Sequence, residues 1–255
     1  MSRSNPTDNA PHPCTRWIEW DGSNGEFRYY DKDQKKNVGL GDALNFILLD
    51  QLATIKGWHD ASDSGISSND VRDTRQDVLV VKAFKGGQLA AGVYQHIRDR
   101  VIAQGGYFTT KLYVAVKAGE ELEIASVAFK GAALNAWVEF SKKNRADLYK
   151  KAVLCKGFNE GKKGKITFRT PIFHMKDVSA ETDSKALDCD RILQEYLKGY
   201  FSRPKAEQAE QHPSESHHVD QAPPDEPDDT FDQPTSSPAI GKRGNFDDLD
   251  DDIPF

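Results

Sequence analysis

Residues 107–129 read YFTTKLYVAVKAGEELEIASVAF. Tyr107 to Lys117 and Glu121 to Phe129 are rich in β-branched and aromatic residues, and only Ala118-Gly119-Glu120 separates them, so they read as two strands of a β-hairpin. The segments on either side repeat that signal. Downstream, Ala152 to Glu160 and Lys165 to Met175 flank Gly161-Lys162-Lys163-Gly164, a second hairpin with a basic turn. Upstream, Asp77 to Phe84 is a strand ended by Gly86-Gly87. Near the start, Arg16 to Trp20 and Glu26 to Asp31 flank the turn-rich DGSNG and form a third hairpin. Trp17 and Trp20 are three residues apart, so they cannot share a strand face, and at least one should lie outside the core or at a strand end.

The apolar stretch Ala43 to Trp58 is ambiguous from periodicity, but its Ile, Leu and Thr content favours a long buried strand. Three helices interrupt the strands. Gln88 to Gln104 places Leu89, Val93, Ile97 and Val101 four apart and ends at Gly105-Gly106. Ala133 to Lys150 is the second. Ser184 to Phe201 is the third, with Leu187, Ile192, Glu195/Tyr196 and Gly199 in helical phase. The runs DKDQKKN and HDASDSGISSNDVRD read as polar loops. The expected fold is mainly β with helices (α+β), an OB-fold-like antiparallel β-barrel with helical decorations and a disordered acidic C-terminal tail.

Charge divides the chain. Residues 204–255 hold 14 acids against 3 bases, a net −11, so the rest of the chain carries +5 although the whole is −6. Eight of the 12 prolines fall in that tail, which has neither Trp nor Tyr, and it cannot bury enough surface to fold. Hydrophobic residues make up only 37% of the 255, which fits a chain that is partly unfolded. The expected division is a disordered N-terminus at 1–14, a folded body at 15–203, a Pro-rich acidic linker at 204–246 and a tip at 247–255. A basic body binds a polyanion, and an acidic tail competes for the same surface.

Catalytic and metal signals are poor. Cys14, Cys155 and Cys189 form no C-x-x-C and suggest reduced thiols in a cytoplasm, with Cys155 a small buried hydrophobe. His59, His96 and His174 lie far apart, His59 in a polar loop and His96 on an exposed helix face. GFNEGKK (Gly157 to Lys163) has three residues between its glycines where a phosphate loop has four, and Lys163 stands where Ser or Thr must hold magnesium. Glu160-Gly161-Lys162 has the E-x-K spacing of some metal-dependent nucleases, but on a Gly-rich turn. No cofactor and no metal is expected. The polar N-terminus is neither a signal peptide nor an anchor, and no apolar run reaches the ~20 residues of a membrane span.

Aromatics interleaved with Lys and Arg suit single-stranded nucleic acid, which exposes base faces and a phosphate at every step. Candidate contacts are Trp17, Trp20, Arg28, Tyr29, Tyr30, Lys82, Lys85, Tyr107, Lys111, Tyr113, Lys156, Lys162, Lys163, Lys165 and Arg169. Core packing is the competing role for each aromatic alone, and Phe84, Trp137 and Phe168 in particular read as core.

The chain ends in DDLDDDIPF (Asp247 to Phe255). Five carboxylates around one Leu serve no folded core, whereas Phe255 suits an apolar pocket and the acids a basic rim. This tip resembles that of bacterial single-stranded DNA-binding proteins, which end in the same Asp-Asp-Asp-Ile-Pro-Phe order. The longer body resembles their bacteriophage counterparts in layout. The resemblance implies a non-enzymatic protein that coats single-stranded DNA in replication and recombination. It also implies that Asp250, Asp251, Asp252, Ile253, Pro254 and Phe255 recruit replication, recombination and repair proteins. The alternative is a nuclease or strand-annealing factor with the same tail.

Overall fold

The computed structural model describes residues 11–204 and Gln208. The linker, the tip and most of the expected N-terminal lead-in lie outside the described residues. Eleven strands join one sheet: β1 Arg16–Asp21, β2 Glu26–Asp31, β3 Lys36–Gly41, β4 Ala43–His59, β5 Ser64–Ser68, β6 Leu79–Ala83, β7 Gly87–Gly92, β8 Gly106–Ala118, β9 Glu121–Lys130, β10 Ala152–Lys163 and β11 Ile166–Lys176. Three helices accompany them: α1 Tyr94–Ala103, α2 Gly131–Lys143 and α3 Ala180–Phe201.

The β8–β9 hairpin forms as the sequence predicts, in register from Thr109 opposite Lys130 to Ala118 opposite Glu121. β4 lies along the other edge of β8. Its far edge is shared, by β10 over Ala43 to Ile47 and by β5 over Lys56 to His59. The apolar run in β4 follows from burial on both faces, which removes the polar alternation of a half-exposed strand. Phe46, Leu48, Ala53 and Ile55 face the main core with Leu112, Val114, Phe129, Trp137 and Phe173. Ile47, Leu49 and Leu52 face a second core with Tyr113, Ala115 and Ile124, and α3 covers it with Ala186, Cys189, Leu193 and Leu197.

The order β3-β2-β1-β9-β8-β4-β5-β6-β7, with β10 and β11 branching from β4, leaves the sheet open. This corrects the expected antiparallel barrel. Among the described residues the end strands β3 and β7 do not pair with each other, and β1 runs parallel to β9. Local sequence patterns carry no sign of that parallel pair, because it joins segments over a hundred residues apart. The β1–β2 turn does meet β11: Arg169 N–H donates to the Gly22 carbonyl at 2.8 Å, and the Trp20 indole donates to the Arg169 carbonyl at 2.8 Å.

Several local expectations also change. The helix predicted from Gln88 starts at Tyr94, because Gly87–Gly92 pairs with β6 as β7. Leu89 reaches the core from that strand, and of the predicted stripe only Ile97 and Val101 reach it from the helix. The second helix ends at Lys143. The end of DKDQKKN contributes to β3, paired with β2. The predicted polar loop after His59 contains β5 and a buried stretch through Val71. Two of its polar side chains serve neighbouring strands: Ser68 Oγ accepts from Ile55 N–H at 2.8 Å and Asn69 Oδ1 accepts from Val80 N–H at 2.7 Å. α3 starts earlier than predicted, after the cap residue Ser179, whose Oγ accepts from Thr182 N–H at 3.2 Å. It buries Ala186, Cys189, Leu193, Leu197 and Tyr200, one helical stripe, and leaves Leu187 and Ile192 in solvent. The phase read through Leu187 and Ile192 belongs to the opposite side. The strand β10 runs through Lys163, which moves the basic turn to Gly164-Lys165.

Candidate nucleic-acid interface

The outer sheet face that α3 covers removes two predicted contacts. Lys111 and Tyr113 alternate outward on β8 but lie under the helix, both closed off from solvent. Lys111 Nζ pairs with Asp70, and the Tyr113 hydroxyl donates to the same carboxylate at 3.3 Å. Burial pushes the lysine pKa down, but Asp70 more than reverses it, so the ammonium is held above the usual lysine range. Neither residue can meet a ligand. Trp20 is buried against Phe27, with ring centroids 4.9 Å apart. Arg28 pairs with Glu19 at 2.9 Å and with Asp21 at 2.8 Å, so its charge is already neutralised inside the β1–β2 hairpin. Trp17 is half-buried on the second core under Lys32, Tyr29 is half-buried beneath Arg16, and Tyr30 is half-buried on β2. The N-terminal hairpin therefore presents little open aromatic surface.

Past the end of α3 the same outer face opens. Tyr107 on β8 lies opposite Lys56 on β4, Lys56 opposite Ser67 on β5, and Ser67 opposite Lys82 on β6. Residues paired across strands share a face, so these form one row, roughly 14 Å from first strand to fourth. The neighbouring row holds Trp58, Gly65 and Phe84: Trp58 pairs with Gly65, and Phe84 N–H donates to the Gly65 carbonyl at 3.0 Å. Phe84 is 72% exposed and Tyr107 51%. Phe84 is thus no core residue, whereas Trp137 is. Lys85 follows in the β6–β7 turn, exposed, with Nζ 3.4 Å from the Asp63 carbonyl. Three aromatics and three lysines meet on this strip. Lys82, Lys85 and Tyr107 are candidates from the sequence. Lys56, Trp58 and Phe84 are additions from the structure, although Lys56 and Trp58 are two apart on a strand and so share a side.

A second basic element lies at the other end of β4. β4 stops pairing with β10 at Lys156, and β10 and β11 continue alone as a two-stranded arm. Five cations and one carboxylate lie between Lys156 and Arg169, and Lys156, Lys162, Lys163 and Lys165 are all exposed. Arg169 anchors the arm's base. Its guanidinium lies 5.4 Å from the Phe158 ring centre, pairs with Glu160 at 3.4 Å and donates to the Ser23 carbonyl. Phe168 is half-buried against Gly161, not in the core. Ala43, opposite Lys156, and Lys56, opposite Tyr107, are separated by roughly 40 Å along β4, so arm and strip are two separate basic regions and not one cluster.

Chemically, the strip offers ring faces and ammonium groups, and the arm offers ammonium groups around a narrow apolar edge. Cys155, beneath the arm, is a buried thiol whose pKa burial pushes up to about 12, so it is inert as a nucleophile. Cys14 and Cys189 are likewise buried and form no disulfide. His96 is exposed on α1, and His59 Nδ1 lies 2.7 Å from Ser62 Oγ. Among the described residues, no group of three or more His, Cys, Asp or Glu side chains is placed to hold a metal ion, and no helix is long and apolar enough to cross a membrane. Compared with known proteins, the chain matches no family model, no curated protein and no solved structure.

Proposed function

We propose that this chain is a non-enzymatic protein that coats single-stranded DNA with little sequence preference. One observation carries the proposal: Tyr107, Trp58 and Phe84 share one sheet face with Lys56 and Lys82, with Tyr107 and Phe84 exposed and Trp58, Lys56 and Lys82 half-buried. Base–aromatic stacking is sequence-tolerant because every base has a π-face, and lysines beside the rings reach the phosphates between bases. A duplex hides its base faces, so the strip selects unpaired strands. The arm adds sequence-independent attraction through Lys156, Lys162, Lys163 and Lys165.

The strand connectivity supports an OB-like body. β4, β8, β9, β10 and β11 follow one another with α2 between the third and fourth, and β4 pairs with both β8 and β10. OB-folds bind oligonucleotides on the face of their second and third strands and on the loops between strands one and two and strands four and five. In that scheme the strip lies on the first of these loops and its flanks, and the arm is the second. This chain departs from the scheme where α3 covers the β8–β9 face, which shifts binding outward onto the two loops.

The acidic tip supplies the second half of the proposal. In a cytoplasm, which three buried thiols outside any disulfide suit, the tail would deliver Asp250 to Phe255 to replication, recombination and repair proteins. The direct test is a titration of the full chain with a labelled single strand and with duplex of the same sequence. Preference for the single strand, with affinity falling as salt rises, is expected. Equal affinity for duplex, or magnesium- or manganese-dependent cutting of either substrate, overturns it.

A further inference from the structure

Ile166 is 71% exposed at the tip of the β10–β11 arm, directly opposite Lys163 and next to Lys165. Two strands without a third are marginal in water, yet this arm is braced along its length. Phe168 covers Gly161 so closely that a Cβ there would come within 2.6 Å of the ring. Arg169 ties the arm's base to Phe158, Glu160 and the β1–β2 turn. Gly164, at φ 60, takes the first position of the two-residue turn, where such a hairpin needs a positive φ. The bracing holds the tip roughly 10 Å beyond the Arg169 anchor.

A braced arm with a bare aliphatic at its end and lysines around it has a narrow range of uses. The lysines call for a polyanion. The Ile calls for an apolar surface inside that polyanion, which in a nucleic acid is the stacked faces of the bases. Apolar side chains, Ile among them, act as wedges between base steps in proteins that kink or open DNA. A β-branched side chain suits this, because its χ1 is already restricted and it loses little freedom on insertion. A protein surface fits less well, since three lysine ammonium groups would be desolvated beside the contact.

We infer that the arm is a wedge for the junction between single-stranded and duplex nucleic acid. Lys162, Lys163 and Lys165 rest on the phosphates, and Ile166 enters between the last paired base and its neighbour and unstacks them. This rests on the body binding single strands and adds an opening activity to it.

The test uses the full chain and a DNA hairpin with a single-stranded overhang, carrying a fluorescent base analogue at the first pair of the duplex. The parent should brighten the analogue on binding. Ile166→Ala should bind a plain single strand within about twofold of the parent but brighten the junction at least about fivefold more slowly, while Ile166→Phe, a larger wedge, should keep the effect. The exposure of Ile166 makes both variants foldable, which circular dichroism checks. Three results overturn the inference. In the first, Ile166→Ala opens the junction as fast as the parent. In the second, Ile166→Ala weakens plain single-strand binding as much as junction opening, which makes Ile166 a general contact. In the third, Ile166→Ala abolishes self-association and leaves the junction signal intact, which makes the tip a protein contact. If the parent binds no single strand at all, the coating proposal falls first and the wedge with it.

Discussion

Lys111 Nζ lies 2.9 Å from Asp70 Oδ2, with the two side chains 2% and 1% exposed. Around them, the Tyr113 hydroxyl donates to Asp70, and Asp70 N–H donates to the Tyr200 hydroxyl at 2.8 Å. Tyr200 sits in the last turn of α3, so this buried polar cluster fastens the C-terminal helix to the sheet.

Breaking that pair should cost stability without touching the interface. Removing one partner of a buried ion pair leaves the other charge uncompensated, typically at about 3–5 kcal/mol. Lys111→Ala and Asp70→Ala should each show a loss of that order in urea denaturation. Single-strand affinity of the folded fraction should remain that of the parent, because α3 already hides both residues. A Lys111→Ala variant as stable as the parent but deficient in binding would put Lys111 back in the interface.

The same cluster predicts lability to alkali. Lys111 is held above the usual lysine range by Asp70 against the effect of burial, and the Tyr113 and Tyr200 phenols are pushed up mainly by burial. Burial raises the Cys155 thiol to about 12. In each case the folded state holds its proton more tightly than the unfolded state. The contribution is therefore complete below the unfolded values, about 8.5 for the thiol and about 10 for Tyr and Lys, and is lost as pH rises through the folded ones. Melting temperature should fall steadily above about pH 9. A melting temperature that stays level to about pH 11 would contradict this protonation pattern.

Strand content is largely legible in the sequence, because strand signals are local: the β8–β9 hairpin and the long β4 follow from residue type and spacing. The order of strands is not, since the parallel β1–β9 pair joins distant segments. The candidate interface is legible only in part, for a related reason. Lys111, Tyr113 and Tyr107 occupy equivalent outward positions on β8, and nothing in β8 itself says that α3 covers two of them and stops before the third. The covering stripe of α3 is hard to see as well, because the exposed Leu187 and Ile192 are larger and more apolar than Ala186 and Cys189, which are buried. Phe84 shows the converse problem: an aromatic after a strand reads as core by residue type, but the turn beside it leaves it open.

The strip should lose affinity in steps. Stacking is worth about 1–3 kcal/mol per base by alanine substitution. Phe84→Ala and Tyr107→Ala should each weaken single-strand binding by an amount in that range. Both side chains are open enough for thermal stability to change little. Fluorescence-anisotropy titration reads the affinity, and an unchanged value in the double variant would remove the strip from the interface.

The arm should act through charge alone on plain single strands. Replacing Lys162, Lys163 and Lys165 together by Ala should weaken binding equally across sequences, since phosphate contacts carry no base information. For single strands the log–log salt slope becomes shallower by about 0.7 for each phosphate no longer neutralised. A triple variant with parental affinity and slope would leave the arm's lysines as solvated surface.

Under the proposed function, the tail should link both candidate contact regions to partner binding. It carries −11 against +5 on the rest of the chain. A tethered anion is present at an effective concentration on the order of millimolar. It should therefore compete weakly with DNA for the lysines of the arm and strip. Deleting Asp247 to Phe255 should raise apparent single-strand affinity, most at low salt where screening is least, and abolish capture of proteins that read the tip. Phe255→Ala should separate the two effects. All five tip carboxylates remain, so competition with DNA persists, while the apolar anchor for a partner pocket is gone. Affinity of Phe255→Ala for single strands should match the parent at every salt concentration, and its binding to bacterial replication proteins should be lost. Parental binding of those proteins by Phe255→Ala would mean that the tip does not dock them.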